Sequence, residues 1–387
     1  MELVFEILFW SCVAALFYTY VGFHILLEIW GRLVTRKRKK HSRTDNLPKV
    51  SVLLSVYNEE AVIVEKIKST FDTDYPADKL EVIVGSDRSN DETNNLLKRM
   101  AEDEPRLQFV DFPNRQGKPA VINHLVSIAS GDVLIMTDAK VYFKPYTIYE
   151  LIKHFKADDV AIVGGNICSR QKKSEEGVAQ EKMYMSREMR VKYLEGKIWG
   201  AVAGVFGACY AIRKEDFRPV PPRYLVDDYY ITMKALSENR KVLQDLKAIC
   251  TENVSPHIQE EFRRKIRIAT GNFQNLRMFK DVLIKRNGVG FSIVSHKVLR
   301  WLGPFFLILM GLSLVLLAKT DIYRWFLYLY LVSFAAVSFD LILMKINKHF
   351  ILLRFLTHFY VMNLALFIGF FKSLKGVKTS AWEPTKR

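Results

Sequence analysis

Acidic residues stand at three places where an apolar run of the sequence ends or a helix is expected to begin. Asp87 and Asp138 each follow a short apolar run, and Asp227 and Asp228 open a segment with the pattern of a helix. Carboxylates can accept the proton of a hydroxyl group or help to hold a divalent cation. In an adjacent pair, one ionised carboxylate disfavours a second charge and raises the proton affinity of the pair. Asp227 and Asp228 are therefore a candidate general base, with a solvated helix start as the alternative.

Basic residues that could neutralise an anionic substrate occur in two segments. Lys118 lies in GKPAVIN, and Arg264 and Arg267 lie in FRRKIRIATGN. A guanidinium group binds a diphosphate well because its N–H donors form a fixed fork. Two alternatives stay open. Lys118 can be a surface lysine at the start of a helix, and the second segment can be a basic amphipathic helix on a membrane surface.

The elements that must position these residues alternate between strand and helix from Pro48 onward, which indicates an α/β domain. Ligands of such open sheets bind beyond the carboxyl ends of the strands. The polar residues at these ends are therefore expected to converge, although Tyr57, Asn58 and Glu59 can also be read as a strand end before a capped helix. The expected elements are strand Val50–Val56, helix Glu60–Phe71, strand Leu80–Val84, helix Asn90–Glu102, strand Leu107–Val110, helix Ala120–Ser130 and strand Val133–Thr137. Further on, Gly164 to Asn166 and Gly204 to Tyr210 are expected to interrupt a helical region.

The N-terminal segment from Leu3 to Trp30 is almost entirely apolar and is long enough to cross a hydrocarbon core, which takes roughly 20 residues. Basic residues follow this segment instead of preceding it, which favours an anchor, residues 1–31, over a cleavable leader. The excess of lysine and arginine after Arg32 places the following domain in the cytoplasm.

The C-terminal part contains three more apolar runs within residues 297–371, near Val298–Ala318, Trp325–Met344 and Ile351–Phe371. Three crossings from the cytoplasm would leave the tail, residues 372–387, outside, yet its lysines favour the inside. One run can be re-entrant or interfacial, or a boundary can be wrong. Asp340 lies inside the second run, where an ionisable group is expensive, and either pairs structurally or serves an acceptor path.

The formal net charge of +16 is explained more simply by anionic lipid than by nucleic acid, since much of the excess flanks the apolar segments. Part of it can belong to a polyphosphate site. No nucleic-acid partner is expected. The four cysteines have no paired spacing and are expected to be structural.

Several of these segments, taken together, resemble the family 2 glycosyltransferases with a GT-A fold. VSVLLSVYNEE and VGSDRSNDET are similar to the first two motifs of that family, and GKPAVIN to its G-K-x-x-x-x-N segment. IMTDAK is similar to its acidic motif, and VDDYYIT to its T-E-D segment. The resemblance implies an α/β, Rossmann-like nucleotide-diphospho-sugar transferase domain over 45–255, joined to transmembrane helices.

The resemblance also implies roles for individual residues. Asp228 would be the general base, with Asp227 as its companion, and Asp138 would hold Mg²⁺ or Mn²⁺ on the donor diphosphate. The implied donor-binding residues are Tyr57, Asn58, Glu59, Asp87, Lys118, Asp138, Arg264 and Arg267. FGACYAIRKED resembles the acceptor loop, which implies Gly207, Ala208 and Cys209 as acceptor residues.

Two positions depart from the family pattern. Lys140 replaces the second acid of the acidic motif, which leaves Asp138 as the one implied metal ligand. Ile268 replaces the tryptophan of the Q-R-x-R-W motif of processive synthases. Residues 256–296, which contain this segment, are expected to form basic, interfacial helices.

The resemblance implies inverting transfer of a sugar, with a UDP-linked sugar as the expected donor, to a growing polysaccharide at the cell membrane. Transfer of one sugar to a lipid-linked acceptor is the alternative within the enzyme class. A nucleotide-sensing membrane scaffold or transporter is the alternative of another class. The expected location is a multi-pass plasma or inner membrane protein with a cytoplasmic catalytic domain, and the oligomeric state stays unknown.

Overall fold

The structure, a computed structural model, describes residues 2–35, 38–170, 176–252, 258–285, 288–346, 348 and 350–377 of the 387-residue chain. For residues 176–184 and 258–259 the description covers the backbone alone. The last ten residues of the basic tail, 378–387, lie outside the described residues.

Eight strands form one mixed sheet with the order β3-β2-β1-β4-β7-β6-β8-β5. The first four strands in this order are parallel, β7 runs antiparallel to β4 and β6, and β8 is parallel to β6. The strands are β1 Val50–Val56, β2 Leu80–Ser86, β3 Leu107–Asp111, β4 Val133–Thr137, β5 Val141–Phe143, β6 Val160–Ser169, β7 Cys209–Arg213 and β8 Lys241–Glu252.

The central strands are apolar because helices cover both faces of the sheet. β2 and β4 are buried along their full lengths, and β1 along all but one residue. The predicted bounds of β1 and β4 are confirmed, and β2 extends two residues beyond its predicted end. The helices of the described residues are α1 Glu2–Phe17, α2 Phe23–Leu33, α3 Ile63–Phe71, α4 Thr93–Asp103, α5 Lys118–Ile128, α6 Thr147–Ile152, α7 Glu176–Ile198, α8 Asp227–Ser237, α9 Ile258–Met278, α10 Val289–Ile293, α11 Leu299–Trp301, α12 Gly303–Leu317, α13 Asp321–Lys345 and α14 Ile351–Leu374.

One sequence prediction in this domain is wrong. Gly164 to Asn166 does not interrupt a helical region but lies within strand β6, between β7 and β8. A Cβ atom at Gly164 would lie 2.3 Å from Oε1 of Gln244, so glycine allows the neighbouring strand to approach. The glycines therefore mark close packing within a strand, which local sequence does not distinguish from a helix break.

Three helices are long and apolar enough to cross a membrane, among the residues that the structure describes: Glu2–Leu33, Asp321–Lys345 and Ile351–Leu374. The first joins α1 and α2 through a π-helical turn, Tyr18–Gly22. A fourth span is counted if Val289–Trp301 and Gly303–Leu317 are taken together, although these two segments meet at a bend of 57°. The apolar run predicted near Val298–Ala318 is therefore a bent helix pair.

The basic helix α9 packs lengthwise along α14, which connects the α/β domain to the apolar helices. A Cβ atom at Gly369 would lie 2.4 Å from the Cβ atom of Ala269, so the two backbones approach closely. The guanidinium group of Arg277 donates hydrogen bonds to the carbonyl and hydroxyl oxygens of Ser373 at 3.1 and 3.3 Å. The C-terminal end of α14 therefore lies on the same side as the α/β domain.

Asp340 is fully buried and lies 3.4 Å from a guanidinium nitrogen of Arg354 on α14. A charged pair within an apolar helix bundle avoids the larger cost of one unpaired charge. Of the two predicted roles for Asp340, the structure provides the pairing.

Candidate active site

The order of the strands brings the carboxyl ends of β2, β1 and β4 side by side, as predicted for the polar residues that follow them. Asp87, after β2, is 4 % exposed, and its two carboxylate oxygens accept the backbone N–H groups of Gln116 and Gly117 at 2.6 and 2.9 Å. Gly117 has a φ of 86°, a conformation that favours glycine. Asp87 thereby fixes the loop from which Lys118 begins α5, and its predicted contact with the donor stays a prediction.

Tyr57, Asn58 and Glu59 form the turn after β1 and contact the neighbouring strand end. The guanidinium group of Arg115 lies 3.8 Å from the centre of the Tyr57 ring. Asn58 has a φ of 54°, and its amide nitrogen donates to Asn90 Oδ1 at 2.6 Å. These contacts hold an aromatic ring and a carboxamide at the edge of the cleft, as a site for a base and ribose requires.

Lys140, which replaces the second acid of the acidic motif, forms an ion pair with Glu59. Its ammonium lies 3.3 Å from Oε2 of Glu59. The charge of Lys140 is therefore balanced by the turn after β1, and Glu59 is engaged by an ion pair.

Lys118 connects two of the acidic residues. Its ammonium lies 2.8 Å from Oδ1 of Asp138 and 3.9 Å from Oδ2 of Asp227. Burial alone would lower the pKa of Lys118, but the carboxylates of Asp138 and Asp227 outweigh burial and raise it above its ordinary value. Lys118 is therefore a fixed positive charge between these two acids.

The carboxyl group of Asp228 has a raised pKa, as a general base requires. Burial and the neighbouring charge of Asp227 raise the pKa of Asp228 to about 6, against the opposing effect of Lys118. The backbone N–H of Tyr229 donates to its Oδ1 at 2.7 Å and fixes the carboxylate at the start of α8. A carboxylate with this pKa is ionised at neutral pH and still accepts a proton readily.

The acceptor loop that precedes β7 has one residue in contact with Asp228. A Cβ atom at Gly207 would lie 2.6 Å from Oδ2 of Asp228. The carbonyl oxygen of Ala208 accepts hydrogen bonds from Thr137 Oγ1 and from the backbone of Asp138, and the side chain of Cys209 is fully buried. Of the three predicted acceptor residues, Gly207 lies beside Asp228, the thiol of Cys209 is buried, and the predicted acceptor role of all three stays a prediction.

Gly207→Ala is expected to lower turnover about a hundredfold, because the added methyl group displaces the carboxylate of Asp228 by a fraction of an ångström or more. The KM for the donor is expected to change little. Steady-state kinetics of the two substrates measure both quantities. Gly22→Ala is the matched control, since its Cβ would make an ordinary contact with Tyr18 at 3.4 Å. Full turnover by Gly207→Ala would contradict this placement of the base.

Helix α9 carries Arg267 to the acidic cluster. Burial lowers the pKa of Arg267, while the charges of Asp227, Asp138 and Asp228 act in the opposite direction. Gly271 allows α9 to approach the start of α8, since a Cβ atom there would lie 2.5 Å from Cγ2 of Val226. Arg264 is also among the charges that act on Arg267. The structure therefore brings together Lys118, Asp138, Asp227, Asp228 and Arg267.

Two features of the site were missed by sequence reasoning. Arg115, on the Tyr57 ring, lies in a loop without a regular pattern. Lys192 on α7 is 3 % exposed, and Asp228 is among the charges that act on it. The sequence of α7 gives no local sign of this burial, because Lys192 lies one turn from the charged residues Glu188 and Glu195.

The donor set of Asp138 can be tested against a divalent cation. Its side chain is 47 % exposed and its Oδ1 accepts a hydrogen bond from Lys118. No group of three or more acidic, histidine or cysteine side chains able to hold a metal occurs among the described residues. These residues fit an ion held by one carboxylate and completed by water and phosphate oxygens, as Mg²⁺ often is, rather than a preformed protein site.

Comparison with known sequences identifies the domain. The sequence model of the family described as Glycosyl transferase family 2 matches residues 51–220. "Probable glycosyltransferase YdaM" of Bacillus subtilis is 34 % identical over 118 residues, which cover 30 % of this chain and 28 % of that protein. The poly-beta-1,6-N-acetyl-D-glucosamine synthase of Staphylococcus aureus strain COL is 25 % identical over 243 residues, which cover 62 % of this chain and 58 % of the synthase. The matches thus span about a quarter to just over half the length of these relatives.

Comparison with solved structures supports the fold over the whole chain. The mannosyltransferase PcManGT from Pyrobaculum calidifontis, solved in complex with GDP-Man and Mn²⁺, superimposes with a TM-score of 0.73. The alignment covers 96 % of this chain and 99 % of that one at 20 % identity. This superposition confirms the predicted GT-A fold, and the sequence match over residues 51–220 confirms the predicted family 2 glycosyltransferase domain and its enzyme class. The chain contains a catalytic domain of glycosyltransferase family 2, combined with apolar helices before and after it.

Proposed function

We propose that the chain transfers a sugar from a nucleotide-sugar donor to a hydroxyl group of an acceptor at the membrane, with inversion at the anomeric carbon. The observation that carries this proposal is the placement of Lys118 and Arg267 around Asp138 and Asp227, directly beside Asp228. Positive charge for a leaving diphosphate and a base for an attacking hydroxyl are thus adjacent. Such adjacency is what an in-line displacement requires.

In the proposed reaction Asp228 removes the proton of the acceptor hydroxyl as its oxygen forms the new bond to the anomeric carbon. The bond between that carbon and the donor phosphate breaks on the opposite face, and the electron pair leaves with the nucleoside diphosphate. Lys118 and Arg267 neutralise the charge that develops on this leaving group. Tyr57 and Asn58 hold the base and ribose of the donor at the edge of the cleft.

A divalent cation, Mg²⁺ or Mn²⁺, would be held by Asp138 together with the donor diphosphate, where it would supply further charge neutralisation. The cation bound to PcManGT and the fit of the half-exposed Asp138 support this proposal. Lys118 shares Asp138 with the cation, so its ammonium would compete with the cation for this carboxylate.

A growing polysaccharide is the proposed acceptor, and a lipid-linked acceptor is a second candidate. Similarity to the poly-beta-1,6-N-acetyl-D-glucosamine synthase favours the polysaccharide. Ile268, in the place of the tryptophan of processive synthases, favours the second candidate, as does the contact of α9 with α14 beside the site. UDP-linked sugars are the proposed donors.

The chain is a membrane protein, and we propose that the catalytic domain lies in the cytoplasm of a plasma or inner membrane. Arg32 and the basic residues after α2 support this orientation. Because the C-terminal end of α14 contacts α9, an even number of complete crossings separates α11 from residue 374. One of the three apolar C-terminal helices therefore does not complete a crossing, which accommodates Lys372 and Lys375 on the cytoplasmic side.

A cysteine placed at Lys375 is expected to react with a membrane-impermeant maleimide from the same side as a cysteine placed at Lys68 in the catalytic domain. A cysteine placed at Lys319, between α12 and α13, is expected to react from the opposite side. Leu317, two residues before it, belongs to the same apolar cluster as Phe9 of α1. Labelling in right-side-out and inverted vesicles, with the wild type as the blank, measures the sides. Lys375 and Lys319 labelled from one side would overturn the proposed topology.

A screen of nucleotide sugars for nucleotide release by the purified chain, with and without Mn²⁺, tests the proposed function. Release from at least one donor is expected to increase with Mn²⁺ and with a saccharide or lipid-linked acceptor. The length of the product then separates the two acceptors, since a single added sugar excludes polymerisation. Release from no donor would contradict the enzyme. If the Asp228→Asn variant replaced the wild-type chain in cells without loss of its biological function, a nucleotide-sensing scaffold or transporter would be favoured instead.

A further inference from the structure

The buried lysine of α7, Lys192, has no counterpart in the proposed reaction. Its side chain is 3 % exposed, and its ammonium lies 5.3 Å from the centre of the Phe206 ring. Within the part of the chain that the structure describes, the ammonium forms no hydrogen bond and no ion pair. A buried ammonium without an acceptor is costly, so an acceptor from outside the polypeptide would stabilise it.

The two carboxylates nearest to Lys192 along α7 are occupied by other groups. Glu188 accepts from Lys297 at 2.7 Å and from Arg300 at 3.0 Å. Glu195 contacts Nδ1 of His296 at 2.8 Å. Lys192 lies between these residues in sequence but does not join their network. Its burial is therefore not explained by the pairing that holds α7 against the segment Val289–Trp301.

Lys192 is a second cation near Asp228, carried by α7, whereas Lys118 lies between Asp138 and Asp227. The charges that act most strongly on Lys118 and Arg267 include Asp138 and Asp227. Those that act most strongly on Lys192 are Lys297, Glu188, Asp228 and Glu195, and burial lowers its pKa to about 8. Phe206 is the neighbour of Gly207, which contacts Asp228. Lys192 thus borders the space next to Gly207 and Asp228, which is where we place the acceptor hydroxyl.

This space borders the apolar helices. His296, which contacts Glu195, packs on the ring of Phe23 in α2 with 6.1 Å between the ring centres. The hydroxyl of Tyr18 donates a hydrogen bond to Ser295 at 2.9 Å. The segment that carries Ser295 and His296 then bends into α12. The segment that pairs with Glu195 on the helix of Lys192 is therefore continuous with the apolar helices.

We propose that Lys192 binds an oxyanion carried by the acceptor, close to the hydroxyl group that Asp228 deprotonates. This inference rests on the proposed function and names the class of its acceptor: one with a phosphate or a carboxylate beside the reacting hydroxyl. A phosphate that links a sugar to a membrane lipid fits the position next to the apolar helices, and the carboxylate of an acidic sugar shares the same chemistry. A neutral glycan offers hydroxyl oxygens as acceptors but no negative charge to balance the ammonium.

A labelling experiment tests the site without any transfer reaction. The full chain in lipid nanodiscs is treated with acetic anhydride at pH 8, and acetylation of Lys192 is followed by mass spectrometry with and without phytanyl phosphate, phytanol or glucuronate. Lys197 on the same helix, whose ammonium donates to the carbonyl oxygen of Gly31 at 2.8 Å, is the internal control. An anionic probe is expected to slow acetylation of Lys192 several-fold and leave Lys197 unchanged. Protection by phytanyl phosphate identifies a lipid phosphate, and protection by glucuronate identifies an acidic sugar.

A kinetic experiment tests the same residue in transfer. Lys192→Met is expected to raise the KM for the anionic acceptor about tenfold to a hundredfold, the range lost with one charged hydrogen bond, and to leave the KM for the nucleotide sugar unchanged. Lys192→Arg is expected to restore part of the loss, and Lys197→Met to have no effect. Equal protection by phytanol, protection by no anionic probe, or an equal effect of Lys192→Met on a neutral acceptor would overturn the inference. Absence of turnover by the wild type with every donor would instead refute the proposed function and leave the labelling result intact.

Discussion

Asp228→Asn is expected to reduce sugar transfer by about a thousandfold or more and to leave binding of the nucleotide sugar unchanged. The amide keeps the shape of the side chain but cannot take the proton of the acceptor hydroxyl, and positioned bases typically contribute 10²–10⁴ in rate. Turnover is measured with the donor that the screen identifies, and binding by calorimetry with the same donor. The residue lies at the start of α8 and accepts one backbone hydrogen bond, so the fold is expected to tolerate the change.

The pH profile provides a second readout of the same residue. Burial and Asp227 raise the pKa of Asp228 to about 6, so the carboxylate is ionised above this pH and protonated below it. The kcat/KM of the wild type is therefore expected to fall tenfold per pH unit below about 6. Residual activity of Asp228→Asn is expected to lack this acidic limb. Glu238→Gln, at the other end of α8, is the control and is expected to keep both rate and profile. An unchanged acidic limb in Asp228→Asn would assign the base to another residue.

Lys118→Met is expected to lower kcat/KM by about a hundredfold to a thousandfold. The substitution removes a positive charge from the donor side of the site and leaves Asp138 and Asp227 without the ammonium between them. Stabilisation of developing charge by one preorganised donor is typically worth 10²–10³ in rate. The carboxylate of Asp138 would at the same time be released from its hydrogen bond, so that Mn²⁺ is expected to bind more tightly while the reaction slows.

Titration with Mn²⁺, followed by electron paramagnetic resonance, measures that second effect in the presence of the nucleoside diphosphate. Lys140→Met is the matched control, because Lys140 pairs with Glu59 and not with Asp138. A loss of turnover in Lys118→Met together with weaker binding of Mn²⁺ would show that Lys118 orients Asp138 for the cation instead of competing with it. Unchanged turnover would remove Lys118 from the donor site.

The sequence predicted that the polar residues at three strand ends converge, because this convergence follows a simple rule. Parallel strands bring their carboxyl ends to one edge, so the residues after β1, β2 and β4 could be placed together without knowledge of side-chain contacts. Asp227 and Asp228 were predicted at the start of a helix, where α8 begins. This rule did not predict which contact each side chain makes. Both carboxylate oxygens of Asp87, for example, accept backbone hydrogen bonds from the loop before α5, which the sequence did not indicate.

The acceptor half was harder to predict because its residues are distant in sequence and meet only through packing. Lys192 lies 36 residues before Asp228 in the numbering and on a different helix. The network of Glu188 and Glu195 is completed by residues about one hundred positions further on. Gly164 was misread because the close approach that requires it comes from Gln244 on β8. Long-range contacts of this kind leave no local period in the sequence.

The packing of α9 along α14 has a consequence for how this enzyme can be handled. Arg267 belongs to the proposed active site, and the helix that carries it contacts Gly369 and Ser373 near the end of the last apolar helix. A soluble fragment that stops before residue 258 would lose the arginine, and one that stops after α9 would expose the face of Ala269 to water. The catalytic domain therefore depends on its contact with the apolar helices. Detergents or lipids that loosen α14 are expected to lower catalytic activity without binding at the active site.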